Sequence, residues 1–446
     1  MKKKILDMQD ERNKIVDYKM IDYQNKKIVF VPNDYAILEF ENSEDSQKIV
    51  SLINNNSKKS KIEVTPKVEM LELDFCVTRK CNLRCKYCYA NQTNVDSKEM
   101  DFETARKAID FFNERFPDIR WKIDFIGQGE PLLNLDTVIY IVDYIKSIKD
   151  EKQLSFFLIT NGTLLKPEIY ETLFKKGVNL GISVDGTKAN HNMNRVFSDG
   201  SGSYDQVYNN LSKLELKQAN KNVWALSVAT GENNIQEILS ENKKNGFKRF
   251  QIKIARISGE SNLDRKRIYE SLASQYHDFF DVLRQQLLSN DLELFCSIIN
   301  ETDTVGKILR SFLTSCKNFR RCKAGFGRFS ISTDGNIYPC SSFYSINKYK
   351  LGNVFDERLD EKIKTAFSMK SVDNDSKCRD CWCRYMCGGI CKYASCTQFG
   401  DLITKNEYDC KLTEKICEEM ILLIYDIQTK NPSIISKMIR FAEINQ

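Results

Sequence analysis

The chain has 446 residues, 41% hydrophobic and 29% charged, with 7 Pro and 19 Gly. At roughly 150 residues per domain this length suggests about two or three domains, and the composition excludes disordered and collagen-like chains. Basic residues outnumber acidic ones by 67 to 61, a formal charge of +6 that is too dilute to point to nucleic acid.

The sixteen cysteines are far fewer than the roughly 8–10% of a disulfide scaffold, and they cluster, with none between Cys88 and Cys296. Acidic residues interrupt the N-terminus before an apolar signal segment could form, and no apolar run reaches the roughly 18 residues of a membrane span. The expectation is a cytoplasmic protein without membrane or nucleic-acid partners, whose reduced thiols serve as metal ligands. With only two histidines, His191 and His277, thiolate sites are what remain.

In chain order, residues 1–66 carry no cysteine and form a small α+β unit. Strand-like runs at 27–31 and 35–40 flank the turn Pro32-Asn33-Asp34, a helix starts over 47–53, and a polar linker covers 54–61. From residue 71, apolar runs of strand length at 71–77, 121–126, 154–159, 179–184, 223–229 and 249–257 alternate with amphipathic helical segments at 103–116, 135–149, 167–176, 204–218 and 234–245. Such alternation means βα units and a parallel sheet, and six strands leading into a helix over 264–289 suit an incomplete barrel. Near Ser311 the chain changes character. Segments 329–333 and 337–339 flank the hairpin turn Asp334-Gly335, and a helix is expected over 412–429.

Directly after the first barrel strand stands Cys81-Asn-Leu-Arg-Cys85-Lys-Tyr-Cys88. Three thiolates on one short loop can hold three corners of a 4Fe–4S cube, leaving one iron open at the mouth of a parallel barrel. The competing reading is zinc, although zinc knuckles use paired C-x₂₋₄-C units with four ligands. Downstream lie Cys316, Cys322 and Cys340, then Cys378-x₂-Cys381-x₅-Cys387-x₃-Cys391 and Cys410. Eight cysteines make two sets of four, which suits two closed clusters or two zinc sites.

The first loop resembles the radical S-adenosylmethionine (SAM) signature CxxxCx-aromatic-C, with Tyr87 in the aromatic place. Further matches fall at successive strand ends. Gly129-Glu130-Pro131, with Gln128 in place of the first glycine, resembles the GGEP segment that receives the methionyl amino group. Thr160-Asn161-Gly162 ends the third strand and Ser183-Val-Asp185-Gly186 the fourth, where the family's Ser and Asp lie near the SAM ribose. Arg195 resembles the arginine that meets the SAM carboxylate. The resemblance implies reductive cleavage of SAM to a 5′-deoxyadenosyl radical, which abstracts hydrogen from substrate.

The second array resembles the SPASM extension of these enzymes. That likeness implies one auxiliary cluster on Cys316, Cys322, Cys340 and Cys391, and a second on Cys378, Cys381, Cys387 and Cys410. With the SAM-binding cube this makes three 4Fe–4S clusters. Cys76, Cys296, Cys383, Cys396 and Cys417 are left over. The implied architecture is a small N-terminal α+β unit (1–66), a partial (β/α)6 radical SAM barrel (67–305) and a cysteine-rich SPASM domain with a C-terminal helix (306–446).

SPASM enzymes mostly modify peptides and proteins, with a reducing partner such as flavodoxin or ferredoxin. The favoured expectation is maturation of a ribosomally made peptide through a thioether or other cross-link. The first alternative is formylglycine formation in a sulfatase. There, an aspartate proposed as base follows the cysteine equivalent to Cys340, whereas this chain has Ser341, whose hydroxyl is no base at neutral pH. Residues 1–66 are compatible with a leader-binding strand edge and equally with a structural cap. A zinc-stabilised, non-catalytic scaffold is the remote alternative. No residue announces itself as catalytic acid or base.

Overall fold

The computed structural model describes residues 18–42, 51, 68–88, 97–214, 223–255, 262–344, 346–356, 358–369 and 371–444. The six apolar runs of the central region all form strands: β4 (Met70–Phe75), β5 (Arg120–Phe125), β6 (Leu154–Thr160), β7 (Val178–Ser183), β8 (Val223–Ala229) and β9 (Phe250–Ile254). They pair in parallel and in chain order, so each neighbour is reached through a crossover carrying helix.

The strands are two-faced. Leu71, Leu73 and Phe75 of β4 and Trp121, Ile123 and Phe125 of β5 are almost wholly buried in the main apolar core. Their alternates, Glu72 and Asp74, Lys122 and Asp124, share the opposite face. The helix Phe102–Arg115 shows how the outer layer forms. Asp101 caps it by accepting from the Thr104 N–H, and Ala105, Ala108, Ile109 and Phe112 give it a buried stripe.

The sheet continues past the barrel's first strand. β10 (Arg328–Ile331) pairs in parallel with β4, placing Arg328 opposite Glu72 and Ser330 opposite Asp74. β11 (Asn336–Tyr338) returns antiparallel across the Asp334-Gly335 turn, where Gly335 has φ +76°, and β12 (Gly352–Asn353) ends that side. The order is β12-β11-β10-β4-β5-β6-β7-β8-β9, an open nine-stranded sheet among the described residues. The two long helices Asn262–Leu288 and Glu407–Lys430 pack together. The second starts before the expected residue 412, because Asn406 caps it by accepting from the Tyr408 and Asp409 N–H groups. The helix expected over 204–218 spans Tyr204–Ser212, and residues 215–220 lie outside the described set.

At the N-terminus, β1 (Lys19–Tyr23), β2 (Lys26–Val31) and β3 (Ala36–Glu41) make an antiparallel meander. β2 and β3 match expectation and β1 does not. Its turn uses Gln24 and Asn25, both at positive φ, in place of the Asn-Gly or Asp-Gly that signals a hairpin. Phe30 contacts Phe312 (centroids 5.6 Å apart) and Trp382 (6.4 Å), while the Tyr23 hydroxyl donates to Asp426 (2.6 Å). The meander thus packs on the cysteine-rich part of the chain. The helix expected over 47–53 (apart from Ser51, which is helical) and the linker at 54–61 lie outside the described residues. No described helix is long and apolar enough to cross a membrane.

Candidate functional site

All sixteen cysteines are free thiols. The loop holding Cys81, Cys85 and Cys88 leaves the C-terminal end of β4 and is pinned to a distant segment. The Arg84 N–H donates to the Val196 carbonyl (2.7 Å), the Lys86 N–H donates to the Asn194 carbonyl (2.9 Å), and Leu83 bridges Phe197. This pairing brings Arg195 to the thiols. Cys85 and Cys88 border a cavity of about 3950 Å³. Burial pushes the Cys85 thiol up to about 12, opposed by Arg195 and reinforced by Cys88 and Cys81. Two of the loop's basic residues are occupied locally: Lys80 pairs with Glu99 (3.2 Å), and Arg84 donates to the carbonyls of Cys81 and Leu83.

Gly129 explains how the second strand end approaches this loop. A Cβ there would stand 2.3 Å from the Thr78 carbonyl oxygen and 2.5 Å from that of Lys80, and the Glu130 N–H donates to Lys80 (2.8 Å). Glu130 is 2% exposed. It accepts from the Thr160 hydroxyl (2.7 Å) and the N–H groups of Asn161 (2.7 Å) and Leu132 (3.2 Å). Burial outweighs these bonds and lifts its carboxyl to about 7. Three of roughly four carboxylate lone-pair sites are filled, leaving one for a further donor.

Asp185 and Arg195 meet each other. Arg195 Nε donates to Asp185 Oδ2 (2.9 Å) and Nη2 to Oδ1 (3.2 Å), while the Tyr87 hydroxyl donates to Oδ2 (2.6 Å) and the Val228 N–H to Oδ1 (2.9 Å). His191, held neutral by burial with its pKa lowered to about 3, braces the same turn. One ring nitrogen faces the Asp185 N–H and the other contacts the Ser203 hydroxyl (3.0 Å). Tyr87, Ser183 and Arg195 border the cavity with Cys85 and Cys88, while Glu130, Asn161 and Asp185 are buried behind them. The Asn161 amide donates to Asn82 (2.9 Å) and lies 4.0 Å from Cys81 Sγ.

All eight cysteines of the second array border the same cavity. Burial pushes Cys410 up to about 12, with Cys387, Cys381 and Cys378 adding to the rise, so these four thiols are electrostatic neighbours. Cys340 and Cys391 pack on one apolar cluster that includes Phe343, Phe367 and Tyr393. Cys316 and Cys322 face Lys307, whose ammonium donates to the Arg321 carbonyl (2.6 Å) and is pulled down to about 8 by burial. Among the described residues no three His, Cys, Asp or Glu side chains converge on a single-ion site. The thiols border a shared space and those near one another repel when ionised, a donor set that suits multi-iron clusters carrying their own positive charge.

The sequence reading overlooked a charged lattice inside the barrel. Arg328 donates to both oxygens of Asp74 (3.0 and 2.7 Å) and lies near Glu72 (3.6 Å) and Asp124 (3.7 Å). Asp74 also accepts from Ser330 (2.5 Å) and from the Ser341 N–H (3.3 Å). The signal was available: acids and a lysine at every second place of two otherwise apolar strands share one face.

Residues 75–240 match the model of the radical SAM superfamily, and residues 322–382 match that of the iron–sulfur cluster-binding SPASM domain. The chain is 25% identical over 324 residues to the cysteine-type anaerobic sulfatase-maturating enzyme of Clostridium novyi, covering 70% of this chain and 85% of that one. It is 24% identical over 386 residues to the radical SAM cyclopropyl synthase TigE of Paramaledivibacter caminithermalis, covering 81% and 76%. The solved structure of histidine-tagged anSMEcpe with bound AdoMet superimposes with a TM-score of 0.66 at 21% identity, over 80% of this chain and 98% of that one. With the thiol-bearing loop at the head of a parallel barrel and both family matches in sequence, the chain carries a radical SAM superfamily domain over residues 75–240 and an SPASM domain over residues 322–382.

Proposed function

We propose that the protein matures a ribosomally made peptide, removing a hydrogen atom and closing a thioether or other cross-link. The observation that carries this reading is the cavity. Its volume of about 3950 Å³ includes the space that SAM and the clusters would fill, and it extends beyond them from the first-loop thiols to the second array, past Phe157, Trp224 and Tyr269. Such a space suits an extended chain beside the cofactors.

In this reading Cys81, Cys85 and Cys88 hold the cluster that binds SAM. Cys316, Cys322, Cys340 and Cys391 hold one auxiliary cluster, and Cys378, Cys381, Cys387 and Cys410 the other. Bound SAM supplies the hydrogen-abstracting radical when a reducing partner delivers an electron. The chain's own residues orient it. Glu130 offers its remaining lone pair to an ammonium, Arg195 presents its guanidinium to a carboxylate, and Asp185 and Tyr87 fix that guanidinium in place. Gly129 and Asn161 hold the wall behind the loop, and Ser183, on the cavity border, would lie near the ribose. The division into 1–66, 67–305 and 306–446 belongs to the same proposal.

Formylglycine formation is the second reading, favoured by the likeness to sulfatase-maturating enzymes. Against it stands Ser341, whose N–H meets an Asp74 carboxylate already saturated by Arg328 and Ser330. Accurate mass, measured before and after anaerobic reaction with SAM and reductant, separates the two. The test substrates are a cysteine-containing peptide encoded beside this gene and a sulfatase peptide. Loss of two hydrogens with sulfur retained on the first supports cross-linking. Replacement of sulfur by oxygen together with loss of two hydrogens on the second, the change from a cysteine side chain to an aldehyde, overturns it. The triple variant Cys81→Ala, Cys85→Ala, Cys88→Ala is expected to abolish SAM cleavage and keep the auxiliary iron. Zinc in place of iron and acid-labile sulfide in the anaerobically prepared protein would overturn both readings.

A further inference from the structure

Of the five cysteines outside the three ligand sets, two are placed against one of them. Cys383 Sγ lies 3.5 Å from Cys381 Sγ and also hydrogen-bonds Cys417. Cys383 and Cys417 are 2% and 0% exposed, so water does not compete for these contacts. Two elements converge to make them. Cys383 immediately precedes the short helix Arg384–Cys387, and Cys417 lies on Glu407–Lys430, two turns beyond Cys410 and on the same face. One helix therefore carries a ligand of the set and the thiol that braces Cys383.

A thiolate bound to iron has no proton and can only accept. Cys383 is then the donor toward Cys381, and its own sulfur accepts from Cys417. Hydrogen bonds to cluster sulfurs stabilise the reduced, more negative state and raise the reduction potential. We propose that Cys383 is a positioning residue that donates its S–H to Cys381 and, oriented by Cys417, raises the reduction potential of the auxiliary cluster on Cys378, Cys381, Cys387 and Cys410. The inference rests on the ligand assignment made above. It gives this cluster an electron-accepting bias that the ligand spacing does not encode.

The test is an EPR-monitored potentiometric titration of the anaerobically reconstituted full chain, with iron and sulfide counted in parallel. Cys383→Ala should lower the midpoint of one auxiliary signal with the iron count unchanged. Cys383→Ser, which keeps an O–H donor, should restore part of the shift, and Cys417→Ala should shift the midpoint the same way by less. An unchanged midpoint in Cys383→Ala and in Cys417→Ala, with clusters intact, overturns the proposal alone. Loss of about four iron in Cys383→Ala while Cys381→Ala keeps them overturns it too, because Cys383 would then be a ligand. Retention of all auxiliary iron in Cys378→Ala overturns the ligand assignment itself.

Discussion

Glu130 is pulled in two directions, by burial toward its neutral form and by three donors toward its charged one. Burial wins and the carboxyl titrates near 7 against an ordinary 4.5. In the apo protein the folded chain keeps a proton between those values that the unfolded chain releases. The group's contribution is complete below 4.5 and is lost as pH rises through 7, a change on the order of 3 kcal/mol. Glu130→Gln should flatten the dependence of Tm on pH over that interval, measured by calorimetry on the apo protein; an unchanged slope would locate the titration elsewhere. Arg195 is a second residue-scale case, because Asp185 is fully buried and depends on it. Arg195→Ala should cost about 3–5 kcal/mol in urea unfolding by stranding that charge, and Arg195→Lys should recover part by restoring charge without the fork.

Among the elements, function depends on how closely three loops approach. The cysteine loop lies against the 194–197 segment on one side and the Gly129 turn on the other. Gly129→Ala would drive a Cβ into two backbone carbonyls, those of Thr78 and Lys80, which cannot swing away as a side chain would. Its expected consequence is selective: loss of SAM-dependent change in the EPR signal of the first cluster, with the auxiliary signals retained. Equal loss of all clusters would instead mean that the substitution unfolds the barrel. Arg328 joins elements differently, carrying charge from the hairpin strand β10 into the barrel face of β4 and β5.

Across the full chain, the N-terminal meander and the long helix Glu407–Lys430 close on one another. Tyr23 reaches Asp426 and Tyr425 reaches Glu39, each at 2.6 Å, across about 390–400 residues of sequence. Phe30 is the apolar anchor of this contact, 1% exposed and packed on Phe312, Tyr35 and Trp382. Phe30→Ala should cost about 3–5 kcal/mol and red-shift the fluorescence of Trp382 as water enters. A native spectrum with unchanged stability would mean that the meander is only loosely attached.

Local patterns along the chain were enough for the barrel strands, their parallel order and the cysteine loop, though not for β1, because period-two apolarity and short thiol spacing need no distant partner. All six barrel strands and the Asp334-Gly335 hairpin follow from such patterns. Glu72 and Lys122 carried the period-two signal as well, but their meaning needed the neighbouring strand that puts opposite charges on one face. Folding in three dimensions was required to show that Arg195 pairs with Asp185, that Gly129 touches the backbone of the cysteine loop and that Cys383 leans on Cys381. These contacts depend on loop closure between segments with no shared periodicity, and their geometry is set by packing rather than by any preference of the residues themselves.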